Sequence, residues 1–466
     1  ACGLLRSFSC QVNCRHRLRK HINAIKNMEG DFIINEKEKS KVVKETFSMM
    51  YTNIEPDEIK ITEFLKADNH CFNILFRKIN RKVEDTIKQL SVGKSPGPDG
   101  LPSEFYKCHP NPPLLKVFQV LLAAERDQSG WMKQGMLHET FYQGVMTLLY
   151  KKNDEYDLSN WRHLTMMNLD YKIFAKVVMN RLNDVLENII EKEQTCAIKG
   201  RLMWDNLCLI REIIYSPNVV DVFIIGLDQK KAFDYISREY VWKVLEWHGF
   251  PDEFINMVKL LYIKSTVQVN VNGELTESFN VERGVKQGCP LSAALYVLAM
   301  SQLLKLMKND KRIKGVSVGT CDRVVTSAYA DDITVFIHSQ KELNTAFDHF
   351  KLYEKASGAK LNEDKTEGIL LGNENRKPPI TIEIKDEIRL LGIYISGKNC
   401  AKKNWNRKEI EVKQIVEKWS NKNVKSRIQI IYLFILSKLI FLSVIFPPTE
   451  YCIIRLNKMC VNLGNK

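Results

Sequence analysis

The sequence predicts an α+β protein, an antiparallel sheet backed by helices, and three observations carry that reading. Apolar residues recur every 3.6 positions over long stretches, and strict alternation surrounds Asn272-Gly273. Two short β-rich runs also flank Ala330-Asp331-Asp332. The 466 residues, 45% hydrophobic and 27% charged, suffice for two to four packed units, and the aromatic content argues against a disordered chain.

Helical periodicity dominates up to about Leu90, as in FLKADNHCFNILFRKINRKVEDTIKQL. GKSPGPDGLPSEF (Gly93–Phe105), the densest Pro/Gly stretch, must be a loop, and Pro102-Ser103 open a helix. A β-like run, GVMTLLY, ends at Lys151-Lys152. From Tyr171 onward, Ile173, Phe174, Val177, Val178, Leu182, Leu186, Ile189 and Ile190 mark one face of a long amphipathic helix. A strand over Val222–Leu227 leads to Asp228 and then to helix-like sequence. STVQVNVNGELTESFNVERG is a hairpin with its corner at Asn272-Gly273. GVKQGCPLSAALYVLAM follows as a turn leading into a helix, and VVTSAYADDITVFIHS (Val324–Ser339) as a second hairpin with its corner at the two aspartates.

The charge balance of 69 Lys+Arg against 55 Asp+Glu, +14 overall, with a pI of about 9.1, suits a polyanionic partner, nucleic acid before an anionic membrane. Basic clusters occur at Arg15–His21, Lys402–Lys408 and Lys418–Arg427. Twelve cysteines without a C-x-x-C pair support neither a zinc ribbon nor a thioredoxin motif. Cys10, Cys14, His16 and His21 come nearest to a metal pattern, but their spacer is too short for a zinc finger. The other thiols suit a reduced, intracellular protein. The N-terminus lacks both Met and the apolar core of a signal peptide, so a fragment of a longer chain is expected. Ile428–Phe446 is long enough to span a bilayer, but Lys438 near its middle costs roughly 2.5–3.5 kcal/mol there. A buried helix is expected ahead of a membrane span.

The chemistry points to the aspartates. Adjacent carboxylates in apolar surroundings repel each other and lose hydration, which disfavours their charged forms unless something positive intervenes. If the strand ending at Asp228 shares a sheet with the Asp331-Asp332 hairpin, three carboxylates meet at one edge. Hard oxygen ligands of that kind suit Mg²⁺. Two such ions a few Å apart activate a hydroxyl and stabilise a leaving pyrophosphate. Singly, each aspartate is an ordinary turn or cap residue.

Several motifs then carry a family resemblance. YADD (Tyr329–Asp332) looks like the catalytic box of reverse transcriptases, and LDQKKAFD (Leu227–Asp234) is similar to their first carboxylate motif. GVKQGCPLSAAL resembles their nucleotide- and template-positioning loop. With SPGPDG, NWRHLTMMN and QTCAIKGR the likeness is closest to non-LTR retrotransposons of the long interspersed element type, from about Gly93 to Gly397. The resemblance implies a right-hand polymerase: a helical N-terminal extension (1–90), fingers and palm (91–398) and a truncated helical thumb (399–466).

It further implies Asp228 and Asp331 as principal ligands of two Mg²⁺ ions (Mn²⁺ being an alternative), with Asp332 in support. Phe233 would be the steric gate that excludes a 2′-hydroxyl. Gln287, Gly288 and Tyr329 would line the nucleotide site, and Arg162 and Arg201 would grip the triphosphate. Lys365 would protonate pyrophosphate, and Leu391-Gly392 in IRLLGIYI would lie on the primer-grip strand. RNA template, DNA primer and dNTPs are the implied partners, with no membrane. Two departures stand out: His163 and Lys199 replace prolines usual in such proteins, which would loosen a nucleotide-binding loop. Neither an upstream endonuclease nor a downstream zinc knuckle or ribonuclease H region is visible. An inactive, RNA-binding remnant is the alternative function. An intron maturase is a third, disfavoured by the motif variants.

Overall fold

The computed structural model describes residues 21–54, 56–66, 83–108, 137–217, 219, 221–319, 323–372, 380–397 and 399–465. Along the chain lie helix α1 (Glu36–Tyr51), strands β1 (Gln143–Tyr150) and β2 (Trp161–Met167), α2 (Leu169–Ile189), α3 (Met203–Tyr215) and β3 (Val222–Leu227). Then come the short α4 (Ala232–Tyr235), β4 (Thr266–Val271), α5 (Ser292–Asn309), β5 (Thr326–Tyr329), β6 (Asp332–Ile337) and α6 (Gln340–Ser357). Strands β7 (Glu367–Leu371), β8 (Glu383–Ile384), β9 (Ile388–Leu390) and β10 (Ile393–Ile395) precede the helices α7 (Cys400–Trp419), α8 (Val424–Ile430), α9 (Ser437–Ile445) and α10 (Glu450–Asn465). These elements form two compact units of interleaved segments. The first is Ala1–Ile190, Lys230–Gln302 and Leu352–Lys360; the second is Glu191–Gln229, Leu303–Lys351 and Leu361–Lys466.

In the second unit the sheet order is β8-β7-β3-β6-β5. The VFIIGL run has no polar side chain to turn toward water, and it occupies the centre, antiparallel to β6 on one side and to β7 on the other. Ile224 stands opposite Phe336 on β6 and opposite Ile369 on β7, so three apolar side chains form a row across the sheet. That row is buried in one core with Leu207, Ile210 and Ile213 of α3 and with Trp405 of α7.

In the first unit β1 lies between β2, antiparallel to it, and β4, parallel to it. Val43, Phe47, Met50 and Tyr51 of α1 pack in one core with Met146, Leu148, Val267 and Val269 of this sheet. The Asn272-Gly273 corner has φ of 55° and 106°, the positive pair that a type I′ turn requires.

Four expectations need correction. The sheets are mixed rather than wholly antiparallel, since β1 pairs β4 and β7 pairs β8 in parallel. Long connections between those strands allow this pairing, which a two-residue hairpin could not. The YADD corner falls at Ala330-Asp331, because Asp332 already pairs with Tyr329 as the first residue of β6. IRLLGIYI is a tight hairpin rather than one strand, with Leu391 (φ 46°) and Gly392 (φ 86°) at its corner. Ile428–Phe446 is helical but only partly buried. Val424–Ile445 is long and apolar enough to cross a membrane, with 22% of its most apolar stretch buried inside the structure. Ile430, Ile435, Leu442 and Ile445 face the core, whereas Tyr432 and Ile440 are exposed. Lys438 pairs with Glu411 of α7 at 3.3 Å. Cys10, Cys14, His16 and most of the first basic cluster lie outside the described residues, as do residues 67–82 of the early helical stretch.

Phe336→Ala removes the largest member of the cross-sheet row. Urea unfolding should show a loss of about 3–5 kcal/mol, whereas Tyr432→Ser on the exposed helix face should shift stability by less than about 0.5 kcal/mol.

Candidate active site

The second unit gathers the predicted carboxylates by backbone register. Leu227, the last residue of β3, stands opposite Ile333, so the next residue, Asp228, runs alongside Asp332 at the head of β6. Asp331 occupies the adjoining corner, half-buried, while Asp332 is exposed. The Asp228 carboxylate accepts a hydrogen bond from Asn362 Nδ2 at 2.8 Å, and Lys365 Nζ lies 4.0 Å from the same oxygen. Asn362 also donates its backbone N–H to the Asp228 carbonyl at 2.8 Å. Among the described residues no three His, Cys, Asp or Glu side chains are gathered closely enough to hold a metal ion as they stand. Like charges repel, and Asp228 is turned toward Asn362 and Lys365. In donor type the edge fits a hard divalent cation: three carboxylates on adjoining backbone positions.

The corner itself is strained. Ala330 has φ 53°, a left-handed conformation that costs an alanine on the order of 1–2 kcal/mol. Gln194, wholly buried, holds it there: Gln194 Oε1 accepts from Ala330 N at 3.0 Å, and Nε2 donates to Ala330 O at 3.3 Å. Thr195 N donates to Ala328 O and Ala328 N to Glu193 O, so the QTC segment pairs with the free edge of β5. Arg201 Nη1 donates to the carbonyls of Glu191 and Gln194 at 2.5 and 2.9 Å and so secures this segment. The Cys196 thiol is pushed up, by burial first and then by the charge of Asp331 beside it. Burial, and then Cys196, likewise raises the Tyr329 phenol.

The first unit contains the other predicted residues. The Phe233 ring, half-buried, stacks on the buried Tyr296 with centroids 4.7 Å apart and planes 13° from parallel. Val285 N donates to Phe233 O at 2.8 Å, and at Gly284 (φ +79°) a Cβ would lie 2.7 Å from Asp234 O, so only glycine allows this approach. Gly288 (φ +105°) is equally constrained, because a Cβ there would meet Thr165 O at 2.6 Å. Gln287 O accepts from Thr165 N at 3.2 Å, and its side-chain Nε2 donates to both carboxylate oxygens of Asp234, at 3.1 and 3.0 Å. On β2, Arg162 and Leu164 face solvent, while Trp161, His163 and Thr165 face inward. His163 is buried and hydrogen-bonded to Tyr51, and Lys199 is an exposed turn residue.

A family model described as "Reverse transcriptase (RNA-dependent DNA polymerase)" matches residues 150–395, more than half of the chain. The chain belongs to that family. Among curated proteins, the chain is 30% identical over 390 residues to the Transposon TX1 uncharacterized 149 kDa protein of Xenopus laevis, covering 81% of this chain and 29% of that one. It is 25% identical over 279 residues to the Retrovirus-related Pol polyprotein from type-2 retrotransposable element R2DM of Drosophila melanogaster, covering 59% and 25%. A type-1 element R2 Pol polyprotein of Popillia japonica is 26% identical over 226 residues, covering 48% and 31%. The chain thus spans a quarter to a third of the length of these relatives. These relatives place the chain among the non-LTR retrotransposon members of that family, as its motifs led one to expect, and its fold is α+β. A solved structure of apo telomerase from Candida Tropicalis matches 70% of this chain and 62% of its own at 12% identity, with a TM-score of 0.41.

Motif reading singled out the aspartates but missed the groups around them. Gln194 stood within QTCAIKGR, yet nothing in that string reveals that its amide clamps the YADD corner. Asn362, three residues before Lys365, and the buried Asp234 were equally silent, since both depend on chain segments distant in sequence.

One charge beside Gln287 has a measurable consequence. Lys286 is buried, with Nζ 4.4 Å from the Tyr171 ring centroid and donating to Leu261 O at 3.1 Å. Burial, and then the nearby Arg238 charge, push its ammonium down to about 7. The unfolded chain therefore binds more protons between about pH 7 and the ordinary lysine value near 10.4, and folding stability rises with pH across that window. Lys286→Met should raise stability by about 1–3 kcal/mol at pH 6.5, and urea unfolding at pH 9.5 should find the gain reduced by at least half.

Proposed function

We propose that this chain is an RNA-directed DNA polymerase core that adds dNTPs to a DNA primer 3′-hydroxyl on an RNA template. The observation that carries the reading is the β3–β6 register, which runs Asp228 alongside Asp332 with Asp331 at the adjoining corner, in a chain of reverse transcriptase sequence. Asp228, Asp331 and Asp332 would hold two divalent cations, Mg²⁺ with Mn²⁺ as an alternative. Bound there, the ions supply Lewis acidity to the attacking hydroxyl and to the departing phosphate. In the reaction the primer 3′-hydroxyl gives its proton to solvent as its oxygen bonds to the α-phosphorus, the α–β bridging P–O bond breaks, and pyrophosphate leaves and takes a proton. Lys365, exposed and 4.0 Å from Asp228, would supply that proton.

Phe233 serves as the sugar gate. Stacking on Tyr296 fixes the plane of its ring, and a fixed ring excludes a 2′-hydroxyl where a mobile one would yield. By the family resemblance Gln287 and Gly288 would position the nucleotide, Arg162 would meet the triphosphate and Tyr329 would contact the nucleotide, whereas Arg201, committed to two carbonyls, has a share in holding Gln194. Leu391-Gly392 would present the primer grip as a hairpin corner. Residues 1–90 form the extension, 91–398 the fingers and palm, and 399–466 the thumb. The excess of 14 positive charges suits binding to nucleic acid backbone, which carries salt dependence with it.

Purified chain with primed poly(rA), dTTP and Mg²⁺ should extend the primer, and Asp331→Ala should reduce extension at least about 1,000-fold. No extension by the parent chain, or equal extension by the variant, would leave the RNA-binding remnant as the better reading. Phe233→Val should improve ribonucleotide use relative to dNTP about 10–100-fold in kcat/KM. Unchanged sugar selection in single-nucleotide assays would remove the gate role.

A further inference from the structure

Asp234 lies one residue beyond the gate and is 2% exposed, which makes it a carboxylate in need of donors. Three side chains of the first unit surround it. Tyr51 Oη donates to Asp234 Oδ1 at 2.8 Å, and Gln287 Nε2 donates to both carboxylate oxygens. His163 Nε2 lies 2.7 Å from Tyr51 Oη and 3.2 Å from Asp234 Oδ1. A phenol has one hydrogen, and Tyr51 gives it to the carboxylate, so His163 must supply the hydrogen of the remaining bond from Nε2–H to the Tyr51 oxygen. Burial first, and then the Asp234 charge, raise Tyr51 well above the ordinary tyrosine value, which keeps it the donor. The chain of hydrogen bonds runs His163 to Tyr51 to Asp234, with Gln287 arriving from the other side.

An ionised carboxylate accepts only, so the Gln287 amide can meet Asp234 in one orientation alone. Turned over, its Oε1 would face two carboxylate oxygens. The bonded orientation points Oε1 away from Asp234, where it is buried without a hydrogen-bond partner among the described residues. Gln287 and Tyr142, whose Oη is likewise buried without a hydrogen-bond partner among the described residues, are both lining residues of a cavity of about 10 Å³. We infer that Tyr51, His163 and Asp234 are positioning residues that lock the Gln287 amide in its working orientation. His163 is a working part of that lock, although it stands where such proteins usually carry proline. This inference rests on the polymerase reading for its kinetic consequence but not for the lock itself, which has a readout of its own.

The test uses the full chain with Tyr51→Phe, His163→Leu, His163→Gln and Gln287→Ala. In steady-state single-nucleotide incorporation, Tyr51→Phe and His163→Leu should each raise KM for dTTP about 5–20-fold, with kcat within about threefold of the parent. His163→Gln, which keeps an N–H donor, should return KM to within about threefold. Adding Tyr51→Phe to Gln287→Ala should raise KM no further, because the lock acts only through that amide. KM unchanged within twofold in both Tyr51→Phe and His163→Leu, or full additivity with Gln287→Ala, overturns the inference. A parent chain that extends no primer refutes the polymerase reading instead, and the lock is then judged by selective ¹⁵N-glutamine labelling. The side-chain amide signal lost in Gln287→Ala should exchange with solvent at least about tenfold faster in Tyr51→Phe and His163→Leu than in the parent. Equal exchange overturns the lock. Should Tyr51→Phe fail to fold, the His163 pair carries the same comparison.

Discussion

Three carboxylates on adjoining positions of one sheet edge repel one another, and whatever holds that edge must outlast the repulsion. A pair of unit charges 4 Å apart costs on the order of 4 kcal/mol at an effective dielectric of 20. The side chains can turn apart, as Asp228 does toward Asn362 and Lys365, but the backbone positions that carry them are fixed by a largely buried strand. Here β3 is hydrogen-bonded on both sides, and Ile224 is flanked by Phe336 and Ile369 across the sheet. The apolar row sets the register, and the register sets Asp228 beside Asp332. A slip of one residue would turn Ile224 and its neighbours to the wrong face, so the hydrophobic core and the acidic edge are fixed by the same constraint.

Strain at the corner follows from that demand. The two-residue connection from β5 to β6 forces Ala330 into the left-handed region, and Gln194 satisfies both of its backbone groups. Gln194 is held in its turn by a segment whose carbonyls Arg201 and Asn206 bind. In the first unit the same principle appears with the sign of the need reversed. There a single buried carboxylate, Asp234, is supplied with donors from α1, β2 and the Gln287 loop. Lys231 and Arg283 add positive potential, each felt at Asp234. A buried carboxylate needs donors brought to it, which is why these residues come from separate stretches of chain.

That dispersal explains what could be read in advance. VFIIGL was legible as a short apolar β-rich run and the Tyr171 helix by its 3.6-residue period, both local signals, and both match the structure. Asn272-Gly273 was legible because a type I′ turn names its residues. The YADD corner shifted by one position because Ala330 adopts a conformation its side chain does not favour, held by a glutamine more than a hundred residues away. Parallel pairing of β1 with β4 was not legible, since nothing in either strand specifies a partner across so long a connection. The half-exposed helix Val424–Ile445 misled for a different reason: an unbroken apolar run carries no periodicity from which to tell its buried face from its open one. Asp228 and Asp331 could be named from motifs, whereas Asn362, Gln194 and Tyr51 could not.

His163 and Lys199, which the family resemblance reads as standing in place of prolines, separate along the same line. Proline stiffens a loop by restricting φ, an effect exerted largely on the unfolded chain. Lys199, exposed in its turn, brings no buried contact in exchange. His163 does. It lies in a paired strand opposite Leu148, its ring meets Phe47 and Tyr51 edge-on, and its Nε2 completes the bonds of a buried tyrosine. Such stiffness comes from the folded state and depends on every member being present, so it is specific where proline is generic. A departure from the family pattern is therefore a loss only if nothing in the fold answers it. At His163 something does, and it reaches through Asp234 to the loop that carries Gln287.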